Sequence, residues 1–169
     1  MKIVVDSNIL YAEKVFSEYG DLYFYKNKIE NRDILKDADA LLCRSTMKVN
    51  KELLEGTKVK FVATATSGTE HLDVKYLNEK NIKFCDAKGS NSNSVAEYVI
   101  TALLELSKRY NLELVGKTIG VVGWGCVGKK VERKAKALGL NVLVNDPPLE
   151  DEKVKKDFVS LDDILKCDI

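Results

Sequence analysis

One histidine, one tryptophan and two prolines occur in 169 residues, and the four cysteines (Cys43, Cys85, Cys126, Cys167) lie far apart with no Cys-x-x-Cys pair. That scarcity supports neither a zinc site, which draws on clustered Cys and His, nor a disulfide framework, so no metal ligand set is expected. No charge of one sign dominates: 27 Lys plus Arg stand against 26 Asp plus Glu. A chain so balanced lacks the basic footprint of a nucleic-acid or membrane-surface binder. No apolar run approaches the roughly 18 residues of a membrane span, and Met1-Lys2 leads into Ile3-Val4-Val5 without the long apolar region of a secretory signal. A cytoplasmic protein is expected. No Pro-, Ser- or Gly-rich linker interrupts the chain, so any domain boundary is itself structured.

What is present is the balance of a soluble globular chain, 45% hydrophobic and 31% charged, apolar enough to build a core. The length suits one domain plus part of a second. Apolar β-type runs alternate with helical patterns over the first 85 or so residues. Ile3-Val4-Val5 precedes a helical stretch over 9–19; Leu22-Tyr23-Phe24-Tyr25 and Ala40-Leu41-Leu42-Cys43 follow. A turn of helix over 51–54, a strand over 59–65, a helix over 74–79 and a strand over 82–85 complete the series. Strands apolar on both faces, separated by helices, predict a parallel sheet covered on both sides. After the small polar loop Lys88-Gly89-Ser90-Asn91-Ser92-Asn93 comes the longest helical pattern, 94–109. Its stripe is Val95, Val99, Ala102, Leu103 and Leu106, with Asn93 or Ser94 as cap.

Gly123-Trp124-Gly125-Cys126-Val127-Gly128 then falls between the apolar strand 119–122 and a helical run ending at Gly139. Strand, Gly-x-Gly-x-x-Gly and helix in that order form the dinucleotide fingerprint. Gly123 permits the tight turn, Gly125 lets backbone approach a pyrophosphate, and Gly128 brings helix close to strand. The helix start offers the amides near Cys126 and Val127 to phosphate. The next strand, 141–145, ends in Asp146, roughly 20 residues beyond the fingerprint, where an acid accepts ribose hydroxyls and repels the 2′-phosphate of NADP. NAD is the expected cofactor, bound by Gly123, Gly125, Cys126, Val127, Gly128 and Asp146. Trp124 inside the motif reads as packing.

With these motifs the chain resembles the NAD-dependent D-2-hydroxyacid dehydrogenases. The resemblance is carried by the Asn-containing loop into Ser94-Val95-Ala96-Glu97-Tyr98, by Gly116-Lys117-Thr118-Ile119-Gly120 and by the glycine fingerprint. It is carried further by Arg44-Ser45, by Lys60 to Thr66 with Gly68-Thr69, and by Asp146-Pro147-Pro148. The last group is similar to the branch of the family whose substrate is a phosphorylated 2-hydroxy acid. Lys88 departs from the pattern, standing where the family has proline.

The resemblance implies an α/β architecture: a flavodoxin-like substrate domain over 1–93, then an incomplete Rossmann NAD-binding domain over 94–169. It carries Ser45 and Thr66 over as substrate-binding positions, with Arg44 as a further ligand candidate. No catalytic residue is expected within the chain, because the family's arginine, glutamate and histidine come from later segments; an N-terminal portion, inactive by itself, is expected. His71, the lone histidine, reads as structural or solvated. A homodimer with the 94–109 helix as a contributor is implied. Another family member, acting for example on phosphoglycerate, and a noncatalytic NAD-sensing protein of the same fold are the alternative readings.

Overall fold

Residues of β-branched and apolar character in short runs form five strands: β1 (Lys2–Asp6), β2 (Asp21–Tyr25), β3 (Ala40–Cys43), β4 (Phe61–Thr64) and β5 (Lys83–Asp86). All pair in parallel, in the order β2-β1-β3-β4-β5. Parallel neighbours require crossovers, which are made by α1 (Ala12–Phe16), a 3-10 turn at Arg32–Leu35, α2 (Lys51–Leu54) and α3 (Val74–Glu79). This strand order is that of the flavodoxin-like doubly wound sheet, whose ligands bind beyond the carboxyl ends of the strands. The computed structural model describes residues 1–169, which divide into two compact units, Met1–Lys88 and Gly89–Ile169.

Strand alternation sorts the first unit's apolar side chains onto two faces. Val4, Leu41, Cys43 and Val62 pack with Leu35, Leu54 and Leu77 on one side; Ile3, Val5, Ala40 and Leu42 meet Ala12 on the other. Burying each Val, Leu or Ile side chain of this set contributes roughly 1.5–3 kcal/mol, which favours central places for β1 and β3. The edge strands differ from the expectation of apolar character on both faces. β2 buries Tyr25 alone, and β5 buries no residue, alternating exposed Lys83 and Cys85 with half-buried Phe84 and Asp86. An edge strand has a neighbour on one side only, so its aromatic run Tyr23-Phe24 faces outward.

The stretch 9–19 is less helical than its pattern suggests. Tyr11 takes a left-handed φ of 60° ahead of α1, and a 3-10 turn at Ser17–Tyr19 follows. Asp6 explains the delay: its carboxylate accepts from the Asn8 backbone and side-chain amides at 2.9 and 2.8 Å, a local turn that competes with helix.

In the second unit α4 (Ser92–Tyr110) precedes β6 (Thr118–Val122), α5 (Gly128–Ala137) and β7 (Asn141–Asn145), followed by α6 (Pro147–Asp151) and α7 (Leu161–Ile164). β6 and β7 pair in parallel. Beside β6, Asp168 and Ile169 donate backbone bonds to Thr118 and Ile169 accepts one from Gly120. Helix α4 begins two residues earlier than its pattern indicated, and neither Asn93 nor Ser94 caps it. Its N-cap is Asn91, without a side-chain bond, so Asn93 and Ser94 fall inside the first turn, where Asn93 Nδ2 donates to Glu97 at 2.8 Å. The apolar stripe is also rotated. Ala96, Val99, Ile100 and Leu103 pack on β6 and α5, whereas Val95 and Leu106 are exposed. No helix is long and apolar enough to cross a membrane.

Candidate nucleotide and anion sites

β6 delivers the chain into Gly123, whose φ of +91° reverses it toward α5. Gly128 starts that helix against the turn: a Cβ there would stand 2.0 Å from the Gly123 carbonyl oxygen. Nothing lies within 4 Å of a Cβ built on Gly123 or Gly125, so the outer side of the turn is open. The amides of Gly125, Cys126, Val127 and Gly128 donate to no backbone carbonyl of the chain. Free amides at the start of a ten-residue helix, over an open glycine turn, make a cradle that fits a pyrophosphate.

Asp146 closes this corner. Its Oδ2 accepts the Trp124 amide at 2.6 Å and its Oδ1 caps α6 through the Leu149 amide at 3.2 Å. Two amide donors fix the carboxylate beside the turn while leaving lone pairs for a sugar hydroxyl. The fingerprint residues Gly123, Gly125, Cys126, Val127, Gly128 and Asp146 are therefore gathered in one corner of the second unit.

Around Trp124 lies a network that the sequence reading missed. The indole N–H donates to Glu132, and the ring meets Phe158 edge-on at 6.0 Å between centroids. The ammonium groups of Lys129 and Lys156 stand 4.5 and 5.2 Å from the ring centroid. Glu132 is buried and also binds Lys136 at 2.6 Å and Lys156. Burial raises this carboxyl, but the bonds from Lys136, Lys156 and the indole outweigh it and bring it down to about 2. The packing assigned to Trp124 thus has a polar half. A signal existed: Glu132 and Lys136 stand one helical turn apart on α5, whereas the Trp124 and Lys156 contacts are tertiary. Beneath the cradle, Lys130 donates to Ser92 at 2.7 Å and Ser92 to the Gly89 carbonyl. This bond ties the start of α4 to the fingerprint helix.

In the first unit, Arg44 and Ser45 follow β3, and Thr66 follows β4, at the carboxyl edge of the sheet. Arg44 is half-buried, and no carboxylate pairs with it. Ser45 is exposed and lines a cleft of about 670 Å³ together with Lys28, Arg32, Thr46 and Lys48. Arg32 is committed to the carbonyls of Leu53 and Glu55. Thr66 is not part of that cleft. Instead its hydroxyl is 2.8 Å from that of buried Thr64, which His71 Nε2 approaches at 3.0 Å. Burial lowers the His71 pKa and Glu70 opposes that shift. The loop between is anchored by the Gly68 amide, which donates to Asp86 at 2.8 Å. Thr64 was absent from the sequence-derived site residues, although its spacing of two from Thr66 at a strand end was the available clue. No group of side chains suited to a metal ion occurs.

Residues 3–160 match the family described as D-isomer specific 2-hydroxyacid dehydrogenase, catalytic domain. The chain is 44% identical over 167 residues to an erythronate-4-phosphate dehydrogenase of Hydrogenovibrio crunogenus, covering 99% of this chain and 44% of that protein. It is 45% identical over 170 residues to the same-named protein of Tolumonas auensis, covering 100% of this chain and 46% of the other. The chain spans about half the length of the curated relatives it matches. Among solved structures, the NAD+-bound 3-phosphoglycerate dehydrogenase of Entamoeba histolytica is similar with a TM-score of 0.72 and 29% identity, over 92% of this chain and 57% of that one. Fold, fingerprint and sequence agree that the chain belongs to the D-isomer specific 2-hydroxyacid dehydrogenase family.

Proposed function

We propose that the chain supplies part of the substrate domain and the first half of the NAD site of an erythronate-4-phosphate dehydrogenase. The reaction is oxidation of 4-phospho-D-erythronate at C2 to 3-hydroxy-2-oxo-4-phosphooxybutanoate, with hydride passing to NAD and the hydroxyl proton to a base, in vitamin B6 biosynthesis. The single observation that carries the reading is Asp146, held by the Trp124 amide next to the free amides of 125–128. These amides hold the pyrophosphate, and the Asp146 carboxylate receives the ribose hydroxyls and disfavours a 2′-phosphate. Ser45, Thr66 and Arg44 at the sheet edge hold the carboxylate or phosphate of the substrate, since hydroxyl and guanidinium donors suit both. No catalytic residue is assigned to this chain. The identity to erythronate-4-phosphate dehydrogenases over nearly the whole chain supports the substrate. A cytoplasmic homodimer is part of the proposal; Tyr98, Leu106 and Tyr110, exposed on α4, are its contact candidates.

The test is NADH formation by the enzyme made from the complete coding sequence, assayed with 4-phospho-D-erythronate and with 3-phospho-D-glycerate. Turnover of the first supports the proposal, and turnover of the second alone rejects it. Within that enzyme, Asp146→Ala is expected to raise the KM for NAD about tenfold by removing charge-assisted bonds to the ribose, and to narrow the NAD over NADP preference. An unchanged cofactor ratio would remove Asp146 from the site.

A further inference from the structure

Side chains alternate along a strand, so Thr64 at the end of β4 and Thr66 beyond it turn the same way. Their hydroxyl oxygens are 2.8 Å apart, and His71 Nε2 lies 3.0 Å from Thr64 Oγ1. Thr64 is 3% exposed and Thr66 half-buried, so the contacts form a line from the imidazole through a buried hydroxyl to the one assigned to the substrate.

The direction of donation along this line has chemical consequences, because a hydroxyl carries one proton. If Nε2 is bare, Thr64 donates to it and Thr66 donates inward to Thr64. The Thr66 hydroxyl then turns only lone pairs toward a ligand, and a carboxylate or phosphate, which only accepts, is repelled. If Nε2 carries the hydrogen, Thr64 accepts from His71 and donates to Thr66, whose own proton is free to point outward. The buried Cys43 thiol is the further neighbour of Thr64. Burial pushes it up to about 11 against the lowering effect of Thr64, so it stays protonated, and its sulfur is too weak an acceptor to divert the line.

We propose that His71 is a positioning residue for anion recognition: its neutral Nε2–H form donates to Thr64, Thr64 donates to Thr66, and Thr66 is thereby left to donate to the substrate's carboxylate or phosphate. The proposal rests on the assignment of Thr66 to the substrate site. Burial lowers the His71 pKa against the opposing Glu70 and so favours the neutral ring, which has two tautomers.

The test uses the enzyme made from the complete coding sequence, labelled with 15N. Two-bond proton–nitrogen correlations, assigned by their loss in His71→Gln, are expected to show the Nε2–H tautomer of residue 71 when 4-phospho-D-erythronate is saturating. His71→Glu, an acceptor only, reverses the line and is expected to raise the KM for that substrate about tenfold with kcat within about twofold. His71→Gln, which can still donate, should change KM less than about threefold. Added charge alone could weaken an anion, so His71→Glu is repeated in Thr64→Val, where the line is cut and its effect should fall below about threefold. The bound enzyme in the Nδ1–H form, or a His71→Glu effect undiminished by Thr64→Val, overturns the proposal. An unaltered enzyme that neither binds nor turns over 4-phospho-D-erythronate overturns the substrate assignment, and this proposal with it.

Discussion

Gly128→Ala is expected to destabilise the Gly89–Ile169 unit by about 3 kcal/mol and to abolish NAD binding, because the added methyl cannot be housed without moving backbone. The obstruction is the Gly123 carbonyl oxygen, 2.0 Å from the built Cβ, with its carbonyl carbon at 3.0 Å and Val121 Cγ1 at 3.4 Å. None of these is the end of a flexible side chain. The start of α5 must withdraw from the turn, which pulls the free amides of 125–128 out of register with a pyrophosphate. The thermal midpoint of that unit should fall by roughly 12–24 °C. Gly125→Ala separates the two effects. Its Cβ meets nothing within 4 Å, so the midpoint should hold while NAD affinity falls, since the methyl occupies the open side of the turn. Calorimetric melting and NAD titration of the two variants check this; a Gly128→Ala protein as stable as the parent would refute the close approach of helix and turn.

Glu132→Gln is expected to cost about 2–3 kcal/mol at neutral pH, and the loss should disappear in acid. The side chain of Glu132 is 9% exposed and serves Lys136, Lys156 and the Trp124 indole together. The amide has nearly the same shape but presents no charge to the two ammonium groups. The sign follows from the carboxyl's position. Held at about 2 when folded, it is depressed below the ordinary glutamate range of about 4.3, so the unfolded chain takes up the proton first. Its stabilisation is complete above about pH 5 and is lost as pH falls toward 2. Urea unfolding followed by the emission of Trp124, the sole tryptophan, should therefore show parent and variant converging as pH drops. A gap that stays constant from pH 7 to pH 3 would mean that the carboxylate charge contributes nothing.

Much of this was legible in the residues. Short apolar runs such as Val4-Val5 and Leu41-Leu42 specify buried parallel strands, and the glycines of 123–128 between strand and helix specify the turn, because a local conformational need leaves a local mark. The rotation of the α4 stripe was not legible. Val95 and Leu106 satisfy helical periodicity as well as Ala96 and Ile100 do, and only the position of β6 and α5 selects which face is covered. The cap of α4 eluded the sequence because the run Asn91-Ser92-Asn93-Ser94 offers a capping residue type at every position, and the helix starts at Ser92 with Asn91 as its N-cap. Tertiary pairs such as Trp124 with Asp146, Glu132 with Lys156, and His71 with Thr64 and Thr66 depend on loops returning to the same place.

By itself the sequence determined the α/β class, the fingerprint turn and the acid after β7, since hydrophobic period and glycine conformation act over a few residues. Tertiary structure alone decided which amides stay free, which carboxylate is buried under two lysines, and which hydroxyls join His71 to the sheet edge. Hydrogen bonds and desolvation act at about 3 Å in space, and distance along the chain does not encode that proximity.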